Sequence, residues 1–308
     1  MTTPRHVVIA GGTGFLGRSL AAFLTARGDR VTVLGRSAKR AGDPWRHVAW
    51  DARTVGPWAD TLADADAIVN LAGRTVDCVK TPDHCDEILR SRVESTTVLG
   101  DALAVRGRKP RVWVQMSTAH IYGDPPLLVC TEGSAPGYGL APIVGQAWEA
   151  AFEKACPVET RGVVLRTSFV LGRAGGAFPT LRRLARFGLG GAAGHGRQGI
   201  SWIHEHDMNR LFARAIDRDD MTGMYVATSP SPVSNAEFMR TLRHALRMPV
   251  GLPAPAILVR LGAALVLRTD PELVLYGRYC VSRRLAEEGF TFEFPDVTSA
   301  VLDLVRAS

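Results

Sequence analysis

Lysine is scarce in this chain, cysteine is sparse and unpatterned, and no apolar run is long enough to cross a bilayer. Each shortage removes a class of function. Lys39, Lys80, Lys109 and Lys154 are the only lysines among 308 residues, so the formal net charge of +7 comes from arginines spread along the sequence. No dense basic run or recognition motif accompanies them, and no nucleic-acid partner is expected. An anionic, phosphorylated cofactor or substrate accounts for part of the excess more simply. Cys78, Cys85, Cys130, Cys156 and Cys280 are odd in number, scattered and free of any CxxC pair, which argues against a disulfide framework. Cys78, His84 and Cys85 match no zinc spacing, so no metal is expected. The most apolar stretch, Ala254 to Leu267, is too short for a span and carries Arg260 in its middle. The first apolar run passes straight into glycines rather than into a cleavage site. A cytoplasmic protein with no membrane partner is the expectation.

What is present organises itself around residues 6–36. His6 to Ala10 is a short apolar run, Gly11, Gly14 and Gly17 follow at three-residue spacing, and Phe15 to Arg27 carries apolar residues at helical period until Gly28. Val31 to Leu34 is a second apolar run, ending at Gly35-Arg36-Ser37. This reads as strand, glycine turn, helix, strand, the unit of a right-handed parallel crossover. Glycines there let backbone lie against a pyrophosphate, whose charge meets free amides at the helix start. Gly12 to Ser19 also approximates a Walker loop, but Arg18 stands where its phosphate-reaching lysine belongs. In the dinucleotide reading, an arginine at the end of the second strand accommodates a 2′-phosphate. Arg36, with Ser37, Lys39 and Arg40 beside it, therefore favours NADP over NAD.

Strands and helices continue to alternate, as in a doubly wound parallel sheet. Val48 to Trp50 reads as a third strand ending at Asp51, which either contacts the adenine or caps the next turn. Ala67 to Leu71 is a fourth strand, running into Ala72-Gly73. Asp86 to Arg106 is a long amphipathic helix. Val112 to Met116 is a fifth strand, delivering Ser117-Thr118-Ala119-His120-Ile121-Tyr122-Gly123 to the edge occupied by the glycine turn. Pro125 to Pro142 is loop, Ile143 to Ala155 helix and Gly162 to Val170 strand. From Gly172 to Ser201 glycine is frequent around a short helix near Leu181 to Phe187, either a flap over substrate or plain surface loop. A helix to Asp217, a strand at Met224 to Ala227, a helix opened by Ser234 or Asn235, an apolar helix after Pro255 and a final strand at Phe290 to Phe294 complete the chain.

Taken together, GGTGFLG at 11–17, NLAG at 70–73, SRVEST at 91–96, STAHIYG at 117–123, LRTSFVLG at 165–172 and GRQGISWIH at 196–204 resemble the extended, epimerase-like short-chain dehydrogenase/reductases. More narrowly, they resemble the atypical "epimerase family" group that carries a C-terminal region of its own. The resemblance runs nearly the full chain, in order. It implies an α/β, Rossmann-like fold, with an NADP-binding domain over 1–175. Residues 176–308 would form a smaller substrate-side region interleaved with the end of the sheet, with the extension starting near 250. It also implies NADP(H) or NAD(H) contacts at Gly11, Thr13, Gly14, Phe15, Leu16, Gly17, Arg36, Ser37, Leu71, Ala72 and Gly73. Thr118 stands at the family's catalytic Ser or Thr position, and Gln198, Trp202 and His204 would face the substrate. A homodimer through long helices is a further implication.

The wider family uses a tyrosine with a lysine four residues later. Four residues beyond Tyr122, Tyr138, Tyr225, Tyr276 and Tyr279 stand Pro126, Pro142, Ser229, Cys280 and Arg283. With Glu149 taken as the glutamate that often follows the dyad, its two positions fall on Ala141 and Gly145. An unassisted tyrosine is a poor base at neutral pH. His120, Tyr122, the loop residue Glu132 and His204 are the replacement candidates, histidine titrating in the right range. Otherwise the proton comes from water, or the chain binds the dinucleotide without chemistry. The expected activity is an NADP(H)-dependent oxidoreductase acting on a small organic molecule. The alternatives are a nucleotide-sugar epimerase or dehydratase, and a dinucleotide-binding regulator.

Overall fold

The computed structural model describes residues 4–36, 42–105, 108–125, 128–263 and 268–306. Ser37, Lys39, Arg40 and the end of the 254–267 stretch lie outside them. In chain order the first half runs β1 (His6–Ala10), α1 (Phe15–Ala26), β2 (Arg30–Gly35), β3 (Arg46–Ala49), β4 (Ala67–Asn70), α2 (Pro82–Ala104), β5 (Val112–Thr118), β6 (Val129–Cys130) and α3 (Leu140–Ala155). There follow β7 (Arg161–Thr167), β8 (Phe169–Leu171), α4 (Phe178–Arg186), β9 (Gly199–Ile200), β10 (Trp202–His204), α5 (Glu205–Asp217), β11 (Gly223–Ala227), β12 (Val233–Ser234) and α6 (Asn235–Ala245). The last part holds α7 (Ala256–Gly262), α8 (Glu272–Leu275), β13 (Tyr279–Cys280), α9 (Arg283–Glu287) and α10 (Val297–Arg306).

Seven strands form one parallel sheet in the order β11-β7-β5-β4-β1-β2-β3. Order reverses on either side of β1, which places a crevice beyond its carboxyl end. Because side chains alternate along a strand, each apolar run feeds two cores. Val7, Ile9, Val31, Val33, Val112 and Val114 pack with Leu20 and Leu24 of α1 and Leu211 and Phe212 of α5. Val8, Ala10, Leu34, Ile68 and Trp113 pack on the other face with Val98, Leu99 and Leu103 of α2. A third cluster joins Phe178 of α4, Phe238 and Leu242 of α6, and Val301 and Leu304 of α10. The sheet's edge strand β11 thus comes from beyond residue 175, between segments that build this third cluster.

The structure corrects the sequence reading in several places. α2 begins at Pro82 rather than Asp86, because the Thr81 side chain accepts the His84 amide and proline occupies the first turn. The expected strand at 162–170 is split into β7 and β8, and the 125–142 loop contains β6. Residues 290–294 do not form a strand. The amides of Glu293 and Phe294 donate instead to the two oxygens of Asp207, each at 2.9 Å, while Phe290 and Phe292 stack edge to face. Asp207 is fully buried and also accepts from Arg210 at 2.8 Å. Asp207→Ala would orphan these donors, and a loss of about 2 kcal/mol is expected, read as a lower urea midpoint at unchanged slope.

Candidate active site

The turn between β1 and α1 is built for backbone access. Gly11 has φ +73°, and a Cβ there would lie 2.7 Å from the backbone of Ala72. A Cβ on Gly17 would lie 2.3 Å from Gly12 Cα, so the helix start sits directly on the turn. Gly14 is the N-cap of α1, with no capping side chain and no acidic residue in the first turn. The first amides of the helix therefore face outward without an internal partner, an arrangement that suits a pyrophosphate. The Thr13 methyl lies over Gly35, Phe15 lies against Gly172 and Gly175, and Leu16 packs on the core. Arg18 is turned aside into a two-point bond with Asp43 at 2.8 and 2.9 Å, out of any Walker role.

Next to this turn, the Leu71 amide bonds Ala10, and Ala72 is held by the buried Asn70 side chain, which also donates to Thr96 and Gln115. Gly73 is where the Arg92 guanidinium passes, its Cζ 3.1 Å from where a Cβ would stand. Thr96 also accepts from Trp148, so this residue of the SRVEST motif supports the crevice floor from below. Arg36 is exposed at the end of β2, and its guanidinium has no partner among the described residues. Asp51 is used locally. It accepts the Thr54 hydroxyl and the Thr54 and Arg53 amides, which hold its carboxyl down to about 2.

Thr118 ends β5, and its hydroxyl accepts the His120 amide at 3.1 Å, leaving its own proton available to a ligand. His120 lies in the 3₁₀ turn Ala119–Tyr122, half-buried, with its ring free of hydrogen bonds to the described residues. Burial, then the charges of Arg278 and Lys80, hold its pKa well below the ordinary histidine value, so it is neutral at pH 7. Arg278 anchors one guanidinium nitrogen on the Gly123 carbonyl at 2.6 Å. Tyr122 is differently employed. Arg166 donates to its hydroxyl at 3.0 Å, and burial pushes the phenol up to about 12, out of range for acid–base work at neutral pH. Arg166 is itself gripped by Glu149 at 2.8 Å through two nitrogens, and Glu149 also accepts from Ser117.

The remaining candidates have other partners. Glu132 accepts from the Val226 and Arg283 amides, both at 3.1 Å, and from the Ser282 hydroxyl, tying the loop after β5 to β11 and α9. Trp202 is fully buried and donates to the Ser231 carbonyl. The Gln198 side chain donates to Ala193 and Val274, and its buried Oε1 has no partner among the described residues. His204 caps α5 by accepting the His206 amide, lies 3.9 Å from the Phe294 ring and faces Asp303 at 3.3 Å. Its partners among the described residues are thus on α5, in the 290–294 segment and on α10, not at the end of β5. Sequence reasoning passed over Arg166 and Arg278. Arg166, one strand away and in register with Ser117, is the residue whose charge needs Glu149.

Comparison with known proteins agrees with this geometry. The model of the NAD dependent epimerase/dehydratase family matches residues 7–227, and a domain of unknown function, DUF1731, matches residues 254–304. "Epimerase family protein SDR39U1" of Bos taurus is 33% identical over 306 residues, covering 97% of this chain and 99% of the relative. The crystal structure of human epimerase family protein SDR39U1 (isoform2) with NADPH superposes with a TM-score of 0.87 at 30% identity, over 98% of this chain and 100% of that one. The crystal structure of the nucleoside-diphosphate sugar epimerase from Corynebacterium glutamicum gives a TM-score of 0.79 at 28% identity, over 98% of this chain but 58% of the other. The chain belongs to the NAD dependent epimerase/dehydratase family.

Proposed function

We propose that this chain is an NADP(H)-dependent oxidoreductase acting on a small organic substrate held between the C-terminal edge of the sheet and residues 176–308. The observation that carries the reading is the exposed Arg36 guanidinium at the end of β2, without a partner among the described residues, on the same sheet edge as the uncapped start of α1. Such a pairing suits a 2′-phosphate and a pyrophosphate of one dinucleotide, and NADPH in the human relative supports it. Gly11, Thr13, Gly14, Phe15, Leu16 and Gly17 would hold the nucleotide with Leu71, Ala72 and Gly73. The bound cofactor supplies a hydride. The chain's own part is to place and polarise the reacting oxygen, Thr118 through its free hydroxyl proton, and to exchange a proton with solvent through the half-buried ring of His120.

The dissociation constants for NADPH and NADH at one salt concentration test the nucleotide site. Wild type should prefer NADPH by at least about tenfold, about 1.4 kcal/mol, and Arg36→Ala should abolish that preference. Transfer of deuterium from C4-deuterated NADPH to product, across a panel of carbonyl compounds and enones, tests the chemistry. Absence of transfer, with interconversion of nucleotide sugars instead, would select epimerisation. Tight binding with no turnover would select a regulator.

His120 also predicts a pH profile. A neutral imidazole that accepts a proton in the oxidising direction keeps kcat/KM flat from neutral pH down past the ordinary histidine range, because its pKa is depressed. The rate falls only in more acidic buffer. His120→Ala should remove that acid limb and lower kcat by about a hundredfold or more.

A further inference from the structure

We propose that Cys130 and Cys280 are a reversible dithiol pair whose oxidation to a disulfide staples the C-terminal region onto the segment that follows the catalytic strand. The inference does not depend on the reaction assigned above. β6 and β13 pair in parallel, and Cys280 lies directly opposite Cys130 in that register. Residues opposite one another on neighbouring strands project to the same face, about 4.8 Å apart in the backbone. That separation falls inside the Cα spacing of about 4.4–6.8 Å that a disulfide bridges.

The two thiols are both buried and face each other across this ladder. They differ in readiness to ionise. The neighbouring Cys280 thiol, helped by Arg278 and Ser134, lowers the Cys130 pKa against the opposing effect of burial, and the same proximity raises that of Cys280. Cys130 is therefore the attacking sulfur and Cys280 the resolving one. The other cysteines lack this arrangement. Cys156 lies against the carbonyls of Pro157 and Thr160 and is pushed up to about 11 by burial. Cys78 lies 3.9 Å from the Thr75 carbonyl.

Hydrogen peroxide is small enough to enter when a ladder of two residue pairs opens, and Val129 beside it is half exposed. The Cys130 thiolate attacks one peroxide oxygen, the O–O bond breaks, and a sulfenic acid and hydroxide form. The Cys280 sulfur then attacks Cys130 Sγ, gives up its proton and expels the sulfenic oxygen as water. Two thiols and one peroxide become one disulfide and two waters, two electrons passing to the peroxide. The new bond would reinforce the backbone link from the Val281 amide to the Cys130 carbonyl, and its 278–280 side is already held by Ser201, whose hydroxyl accepts the Cys280 amide and donates to the Arg278 carbonyl.

The experiment treats the full-length protein with one equivalent of hydrogen peroxide and follows intact mass, non-reducing peptide maps and hydrogen exchange. The expected result is a species lighter by two hydrogens, a 130–280 cross-linked peptide reversed by dithiothreitol, and slower exchange in 128–132 and 278–282. The Cys280→Ser variant should instead accumulate a dimedone-reactive sulfenic acid on Cys130. Inert thiols in the native protein, a 78–85 link, or sulfinic acids formed without the 130–280 link would each overturn the dithiol. A 130–280 link that leaves exchange unchanged would overturn the staple. NADPH affinity, measured on the same samples, reports separately on the nucleotide site.

Discussion

Glu149→Ala is expected to destabilise the protein by about 3–5 kcal/mol, the range for stranding one member of a buried ion pair. Arg166 is 6% exposed and sends two nitrogens to Glu149, so truncating the carboxylate leaves a guanidinium in the interior with only the Tyr122 hydroxyl as a side-chain partner among the described residues. The Ser117 hydroxyl loses its acceptor in the same step. Glu149→Gln keeps the shape and part of the hydrogen bonding, so a smaller loss is expected. Glu149→Ala with Arg166→Leu should recover most of the stability, because the stranded charge is gone. Urea midpoints of the four proteins give the answer, and a loss under about 1 kcal/mol for Glu149→Ala would mean the pair behaves as a surface one.

The same cluster assigns Tyr122. Its phenol is raised above its unfolded value, so its contribution to stability is complete below about pH 10 and is lost as pH rises toward the folded value of about 12. Tyr122→Phe should lack that alkaline loss and retain wild-type turnover at neutral pH. That outcome would make Tyr122, beyond the end of β5, a support of the site rather than its proton carrier.

The sheet was legible because buried parallel strands are apolar runs between turn signals, and β1, β2, β4, β5, β7 and β11 all follow that rule. What was illegible had no period to show. β6, β9, β12 and β13 are two-residue ladders fixed by distant neighbours. Residues 290–294 alternate like a strand, yet their amides turn to Asp207, which lies on another helix. Site residues divide the same way. Gly11, Gly14 and Gly17 shape the turn through local backbone geometry, so their spacing could be read directly. Glu132 and Tyr122 have hydrogen-bond partners far along the chain, Ser282 and Arg166, which no local pattern announces. Arg278 is subtler still, since only the fold brings it beside His120.

Gly11→Val should remove measurable NADPH binding, a loss of at least about a hundredfold or 2.7 kcal/mol, while also lowering stability. Two effects act together. At φ +73° a β-branched side chain is strained in the left-handed region, and its Cβ would sit 2.7 Å from the Ala72 amide nitrogen and Cα. Ala72 is buried and pinned by Asn70, so it cannot yield without moving the end of β4. The turn must therefore shift away from β4, turning the open amides of α1 off the crevice. Gly14→Ala is the informative companion. Its Cβ meets only the Gly11 carbonyl oxygen, at 3.7 Å, so the fold should tolerate it. Any affinity it loses then measures how closely the cofactor approaches that backbone. Unfolding curves and NADPH titrations on both variants separate the effects. Gly11→Val with intact stability and undiminished NADPH affinity would place the nucleotide elsewhere than on this turn.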